Sequence, residues 1–232
     1  MKMEVIANGN TAEIYEYGNQ RICKLFYNGY PQQYVDHEFN NAKEIWSLGI
    51  KSPEPHEIVS INGRPGIIYD KIIGEELSDK IRNSDQETWL NRFVKFQKDL
   101  FGFHDDNLMD YKDFLKLFAS GAEELLLKID GLDNGNSVIH GDFHPSNLMV
   151  DRTGTLILID MMNVCKGSSA YDVARTYFLL RKDKDLQKKY LEKSGYKMAE
   201  IKSYLEVILL VREKELEAGN QRHTTQQADD LE

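Results

Sequence analysis

The eight residues His140-Gly141-Asp142-Phe143-His144-Pro145-Ser146-Asn147 set two imidazoles, a carboxylate and a carboxamide between apolar runs. Three readings compete: a metal site, a phosphotransfer loop and a tight turn. A metal would use His140 and His144, whose spacing aims both rings at one ion only on a continuous helix, and Gly141 and Pro145 oppose that helix. No third His or Cys stands nearby at ligand spacing. The phosphotransfer reading explains more residues at once. Transfer of a phosphoryl group to a hydroxyl needs one carboxylate to orient the acceptor and take its proton, and hard oxygen ligands to hold Mg²⁺ against the phosphates. Asp142 and Asn147 close the two ends of such a loop, and the chain then reaches Ile159-Asp160, a carboxylate at the end of an apolar strand. That place suits a metal better than it suits packing.

The elements that must position these groups fall into two unlike halves. Residues 1–73 read as strand, with Met3 to Ala7, Ala12 to Tyr17 and Arg21 to Phe26 separated by Asn8-Gly9-Asn10 and Gly18-Asn19. These turn signals predict an antiparallel meander. Gln33 to Leu48 reads as a helix closed by Gly49, followed by the breaker Ser52-Pro53-Glu54-Pro55. Two more strands, Glu57 to Ile61 and Gly66 to Ile72, flank Asn62-Gly63. From Gly74 the period becomes helical: Trp89, Phe93, Phe96 and Leu100 mark one helix over Asp85 to Phe103, and Tyr111 to Lys128 a second. Leu148 to Val150 and Leu156 to Ile159 predict a short hairpin across Asp151-Arg152-Thr153-Gly154. Helices resume at Ser169 to Arg181 and continue through Tyr204 to Glu217, and the polar residues 219–232 are expected to be disordered. The expected domains are therefore a strand-rich lobe over 1–73, a helical lobe over 74–218, and a tail. No internal repeat is present.

Bulk properties remove several classes. Among 232 residues, 41% are hydrophobic and 29% charged, an ordinary globular balance. The formal net charge of −9 and the absence of a Lys/Arg cluster argue against a nucleic-acid partner. The start MKMEVIANGN has no apolar signal core, and no run approaches the ~18 apolar residues of a membrane span, so a soluble, cytoplasmic protein without a membrane partner is expected. Cys23 and Cys165 stand far apart and read as small buried apolar side chains rather than as a disulfide or a metal half-site.

His140-Gly141-Asp142, then Asn147, then Ile159-Asp160, then Tyr171-Asp172-Val173-Ala174 resemble the aminoglycoside phosphotransferase and choline kinase branch of the protein-kinase-like fold. The resemblance implies an α+β, two-lobed fold: a small antiparallel-sheet lobe with one helix, and a larger helical lobe with a catalytic loop and hairpin. It implies that Asp142 orients and deprotonates the acceptor hydroxyl, that Asn147 and Asp160 bind Mg²⁺, and that His140 and Asp172 brace the loop. Asp172 also reads simply as a helix N-terminal acid.

On the third strand Ile22, Lys24 and Phe26 share a face, and a lysine between apolar neighbours of a buried strand is unusual. Lys24 is the candidate for the ATP phosphates, the alternative being an edge lysine that reaches water. By the same resemblance Ile22 packs on adenine, and Tyr69, Asp70 and Lys71 offer it backbone hydrogen bonds at a hinge near Gly74, whose glycine is expected to supply backbone freedom between the two halves. Glu38 and Glu44 both could partner Lys24; six residues apart, they lie on different helix faces, and Glu38 has the family-like spacing. Two departures stand out. The turn Asn8-Gly9-Asn10-Thr11-Ala12 has one glycine, and Met162 occupies a position where many relatives carry a second acid.

The expected activity is ATP- and Mg²⁺-dependent phosphorylation of a small-molecule hydroxyl, such as an aminoglycoside, choline or a similar amino alcohol. Only twelve residue steps separate Asp160 from Asp172, too few for a peptide-docking activation segment, which disfavours a protein kinase. Five aspartates between Asp99 and Asp113 could receive a cationic acceptor or could merely be solvated. A nucleotide-binding pseudokinase scaffold or sensor is the alternative. The expected state is a monomer or weak dimer.

Overall fold

Short alternating runs broken by glycine and asparagine pair into one antiparallel sheet. The computed structural model describes residues 4–18 and 20–229, with side chains through residue 216. The sheet holds β1 (Val5–Asn8), β2 (Ala12–Glu16), β3 (Arg21–Phe26), β4 (Pro55–Ile61) and β5 (Arg64–Asp70) in the order β1-β2-β3-β5-β4. Met3 and Asn19, expected in the first strand and the second turn, lie outside the described residues. Opposite Ile22 and Lys24 on β3 stand Tyr69 and Ile67 of β5, so these four residues share one face of the sheet. The other face carries Cys23, Leu25 and Ile68 under Tyr15, Val59 and Ile61. Burial pushes the Cys23 thiol up to about 11, so it is an inert packing group.

Helix α1 (Gln32–Ser47) buries Val35, Glu38, Ala42 and Ile45 along one stripe. Gly49, at φ +76°, ends it in the left-handed region open to glycine.

The second half is helical around two small sheets. It contains β6 (Gly74–Glu76), α2 (Leu77–Asn83), α3 (Gln86–Leu100), α4 (Tyr111–Lys116), α5 (Glu123–Asp130), β7 (Ser137–Ile139), β8 (Leu148–Asp151), β9 (Leu156–Leu158), β10 (Cys165–Gly167), α6 (Ser169–Leu179), α7 (Lys184–Ser194) and α8 (Met198–Asp229). The apolar stripe of α3 enters the core through Phe93 and Leu100, while Trp89 and Phe96 are half-buried. Phe93 stacks on Phe143 of the polar loop at 4.6 Å between centroids, which ties the loop to the core.

Three expectations change. The helix expected over Tyr111 to Lys128 is two helices, because Gly121 adopts φ +74° between them. Gly74 does not supply backbone freedom; a Cβ there would stand 2.1 Å from the Val150 carbonyl oxygen, so glycine is needed for the close approach of β6 to β8. The backbone from residue 219, expected disordered, continues α8 to Asp229, as its Gln, Arg and Ala content and lack of proline allow. Residues 230–232 lie outside the described residues. Among the described residues no helix is long and apolar enough to cross a membrane.

Candidate active site

Lys24 stands where the sheet, α1 and the end of the β8–β9 hairpin meet. Its Nζ donates to both Glu38 oxygens, at 2.7 and 2.9 Å, and to Asp160 Oδ1 at 2.9 Å. Period two on β3 turns Lys24 to this face, and the helical stripe that buries Val35 and Ala42 also buries Glu38. Burial alone would lower the Lys24 ammonium, but Glu38 and Asp160 outweigh it and raise its pKa. Burial raises Glu38 despite the adjacent ammonium. With both carboxylate oxygens bonded to Nζ, the ion-paired form is the one this geometry supports. The Tyr69 hydroxyl donates to Glu38 at 3.3 Å. Glu44 is instead a half-buried acid that accepts from Asn107, so the partner of Lys24 is Glu38.

Asp160 has φ +63°, uncommon for a residue with a Cβ. What holds it there is on both sides. His140 Nε2 donates to the Ile159 carbonyl at 3.1 Å, and the Asn41 carboxamide donates to the Met161 and Val164 carbonyls at 2.9 and 3.1 Å. Burial would raise the Asp160 pKa, but Lys24 outweighs it and lowers it. Asp160 therefore stays ionised, with 43% of its side chain open.

Asp142 is fixed by the turn it begins. Gly141 takes φ +71°, and a Cβ there would meet the Asn163 carbonyl oxygen at 2.4 Å. The Gly141 N–H donates to Asp172 Oδ1 at 2.7 Å. Proline starts a short 3-10 turn, Pro145–Asn147, that brings the Asn147 amide back to the Asp142 carbonyl at 2.9 Å. Arg175 Nη2 donates to Asp142 Oδ1 at 3.1 Å, and Nε to the Gly141 carbonyl at 3.2 Å. His144 Nε2 lies 3.5 Å from Asp142 Oδ2. Burial raises the Asp142 pKa, but the His144 hydrogen bond and the Arg175 charge outweigh it and lower it.

Asp172, fully buried in the first turn of α6, is both a helix-terminal acid and a brace. Its Oδ2 accepts from Gln97 Nε2 at 2.8 Å, and Gln97 Oε1 accepts from Tyr190 at 2.6 Å.

A cleft of about 790 Å³ opens between the sheet and these groups. Ile22, Lys24, Asp70 and Lys71 line one side, and Asn147 and Asp160 the other. The Asp70 and Lys71 N–H groups donate to the Glu54 and Gln20 carbonyls, at 3.1 and 2.8 Å. Both N–H groups are thereby already engaged. The single-glycine turn caps the cleft, closed by the Gly9 N–H on the Ala12 carbonyl at 2.8 Å. Met162 is half-buried against the core, one acid fewer than a paired site would have.

The structure thus brings together Lys24, Glu38, Asp142, Asn147 and Asp160. It does not gather the five aspartates into a receptor: Asp99 and Asp106 pair with Lys95 and Lys166, Asp113 lies 3.7 Å from Lys116, and Asp105 and Asp110 accept from nearby backbone N–H groups. Sequence reasoning missed Arg175, Asn41 and Gln97. Arg175 stands one turn after Asp172 and was within reach of it; Asn41 and Gln97 look like ordinary polar positions on amphipathic helices.

A sheet lobe, a helical lobe and a cleft whose two walls meet through Lys24 and Asp160 define a kinase-like phosphotransferase architecture. The chain belongs to the phosphotransferase enzyme family, whose model matches residues 2–203. It is by family a small-molecule kinase. No curated protein matches it. Among solved structures, it resembles a thermostable mutant of aminoglycoside phosphotransferase APH(4)-Ia with AMP-PNP and hygromycin B, at 15% identity and TM-score 0.68 over 95% of this chain and 88% of that one. APH(3'')-Id from Streptomyces rimosus with ADP and streptomycin has 13% identity and TM-score 0.61 over 90% and 92% of the two chains. The GDP and kanamycin complex of APH(2")-IIia has 13% identity and TM-score 0.66 over 97% and 88%. At these identities the likeness is one of fold.

Proposed function

We propose that this chain moves the γ-phosphoryl group of ATP to a hydroxyl of a small molecule, with Mg²⁺. The observation that carries the reading is the 2.9 Å contact between Lys24 and Asp160, which joins the sheet to the segment after the hairpin inside one cleft. Asp160 and Asn147 offer hard oxygen donors: the second Asp160 oxygen and the Asn147 carboxamide oxygen accept no hydrogen bond among the described residues. That chemistry fits Mg²⁺, which would neutralise phosphate charge.

Lys24, already charged and aimed by Glu38, binds phosphate oxygens. Ile22 covers one face of the adenine, whose exocyclic amine donates to the Asp70 or Lys71 carbonyl. Asp142, ionised and oriented by Arg175 and Asn147, accepts the acceptor hydroxyl's hydrogen bond and then its proton. Phosphoryl transfer demands positioning above basicity, so a carboxylate of lowered pKa is sufficient.

The acceptor class is a hydroxylated amine. Its support is the family and the hygromycin, streptomycin and kanamycin bound by the relatives of similar fold. The segment after Asp160 is pinned by Asn41 and by the pairing of β10 with β7, which supports a small-molecule acceptor over a docked peptide. ADP release from ATP and Mg²⁺, measured across amino alcohols and aminoglycosides, tests the assignment. One class should stimulate release. Intact ATP binding without stimulation by any acceptor would favour the scaffold. Asp160→Ala should abolish Mg²⁺-dependent thermal stabilisation by ATP.

A further inference from the structure

Two carboxylates and an imidazole converge where β4 begins and β5 ends, at the rim of the cleft. One ligand atom from each of Glu54, His56 and Asp70 lies within 4.8 Å of the others. The sequence builds this corner with local devices. Glu54 stands between Pro53 and Pro55, so the proline that follows restricts it to extended backbone. The ladder of β4 with β5 slips between Pro55, opposite Tyr69, and Glu57, opposite Ile68, which leaves His56 as the extra residue of a bulge. Bulges re-aim side chains, and His56 Nε2 lies 2.8 Å from Asp70 Oδ1. The Asp70 N–H, donating to the Glu54 carbonyl at 3.1 Å, locks the two strand ends together.

Three other acids of this half have a cation: Arg64 for Glu13, Lys71 for Glu16, Lys24 for Glu38. Among the described residues no lysine or arginine pairs with Glu54 or Asp70, and the only ion-pair partner of Asp70 is His56. We propose that Glu54, His56 and Asp70 bind a divalent transition-metal ion of the Zn²⁺ or Co²⁺ type. One imidazole with two carboxylates suits such an ion better than Mg²⁺, which prefers oxygen alone. Metal–ligand bonds of about 2.0–2.1 Å at tetrahedral angles set neighbouring ligand atoms roughly 3.3 Å apart, so His56 and Asp70 need part by only about half an ångström. His56 is 19% and Asp70 49% exposed, which gives the ion an entry path and leaves its remaining positions to water. The site differs from the cleft's Asn147 and Asp160 in residues and in ligand softness.

Equilibrium dialysis of the full chain against Co²⁺ in excess Mg²⁺, with the visible Co²⁺ spectrum as a second readout, tests this. The wild type should retain one equivalent with an absorption stronger than that of aquated Co²⁺. His56→Ala and Glu54→Gln should each weaken binding about tenfold or more, the effect of disturbing even an outer partner of a metal ligand. Glu54 lends its carboxylate to no hydrogen bond among the described residues, so its variant folds as the parent does. Asp160→Asn should retain the ion. No retained Co²⁺, retention unchanged in both corner variants, or retention lost in Asp160→Asn would each overturn the proposal.

Discussion

The two walls of the cleft hold their charged groups by different means. On the sheet side, Lys24 is fixed by direct ion pairs, and its partner Glu38 is 1% exposed. On the helical side, Asp142 also meets the Arg175 charge, but its place is set by a turn: a left-handed glycine, a returning asparagine, and Asp172 bonded to N–H groups of Gly141 and Gln97. The first wall is electrostatic, and losing one partner leaves a charge in poor solvent. The second is geometric, and damage to it misplaces a carboxylate that is otherwise content. Variants on the sheet side should therefore register first in stability and nucleotide binding, and variants in the loop first in turnover.

The largest effect expected is at Asp142. Asp142→Asn keeps an oxygen for Arg175 but removes the proposed proton acceptor, so turnover should fall about 10²- to 10⁴-fold while nucleotide affinity stays near the wild-type value. Steady-state kinetics with a stimulating acceptor, beside a nucleotide titration, reads both quantities. Near-wild-type turnover would break the comparison at its catalytic end.

Next is Glu38→Ala. Removing one member of a buried pair costs about 3–5 kcal/mol, because the survivor is left uncompensated. Lys24 keeps Asp160 at 2.9 Å, which places the expected loss in denaturant unfolding at the lower end of that range. A loss well under 1 kcal/mol would show that Asp160 alone neutralises Lys24.

The same contrast governs what could be read from the sequence. The sheet side was legible because period two and period 3.6 act locally: alternation put Lys24 inward, turn residues punctuated the strands, and helix spacing divided Glu38 from Glu44. The loop was legible through residue types that packing alone would not choose, Asp142, Asn147 and Asp160. Its supports were not. Gln97 and Asn41 are polar residues on helices whose burial depends on what packs against them, 75 residues away for Gln97 and Asp172 and 120 for Asn41 and Met161. Gly74 was misread for a related reason, since glycine serves both backbone freedom and close approach, and only the position of Val150 decides between them. The break at Gly121 was a local signal outvoted by an apolar stripe.

A smaller effect is expected at Asp172→Asn. The new side chain can still accept from the Gly141 N–H, but its NH₂ then faces the Gln97 NH₂. Gln97 cannot simply flip, because its Oε1 already accepts from Tyr190 at 2.6 Å. One buried donor is left without an acceptor, at a cost of about 1–3 kcal/mol. Thermal or denaturant unfolding measures it, and turnover should fall with the loosened loop. Unchanged stability would mean that the network repacks and that Asp172 acts only as a helix-terminal acid.

The smallest effect, and the finest probe of the geometric wall, concerns pH. Burial raises the Asp142 pKa, while the His144 hydrogen bond and the Arg175 charge bring it below its ordinary value. A depressed carboxylate contributes stability that is present above the unfolded pKa, near 3.9, and is lost as pH falls through the folded one. Arg175→Met removes part of that depression, so its stability deficit should be present at neutral pH, about 1 kcal/mol or less, and should shrink in acid. The kinetic consequence is clearer. In the proposed mechanism turnover uses ionised Asp142, so the acid limb of the pH–rate profile should move to higher pH in Arg175→Met, with the alkaline limb in place. Arg175→Lys keeps the charge but not the fork that reaches both Asp142 and the Gly141 carbonyl. It should therefore restore the acid limb more fully than it restores the rate at the plateau. If both variants keep the wild-type acid limb, Arg175 orients Asp142 without tuning its charge, and the helical wall is geometric in the strict sense.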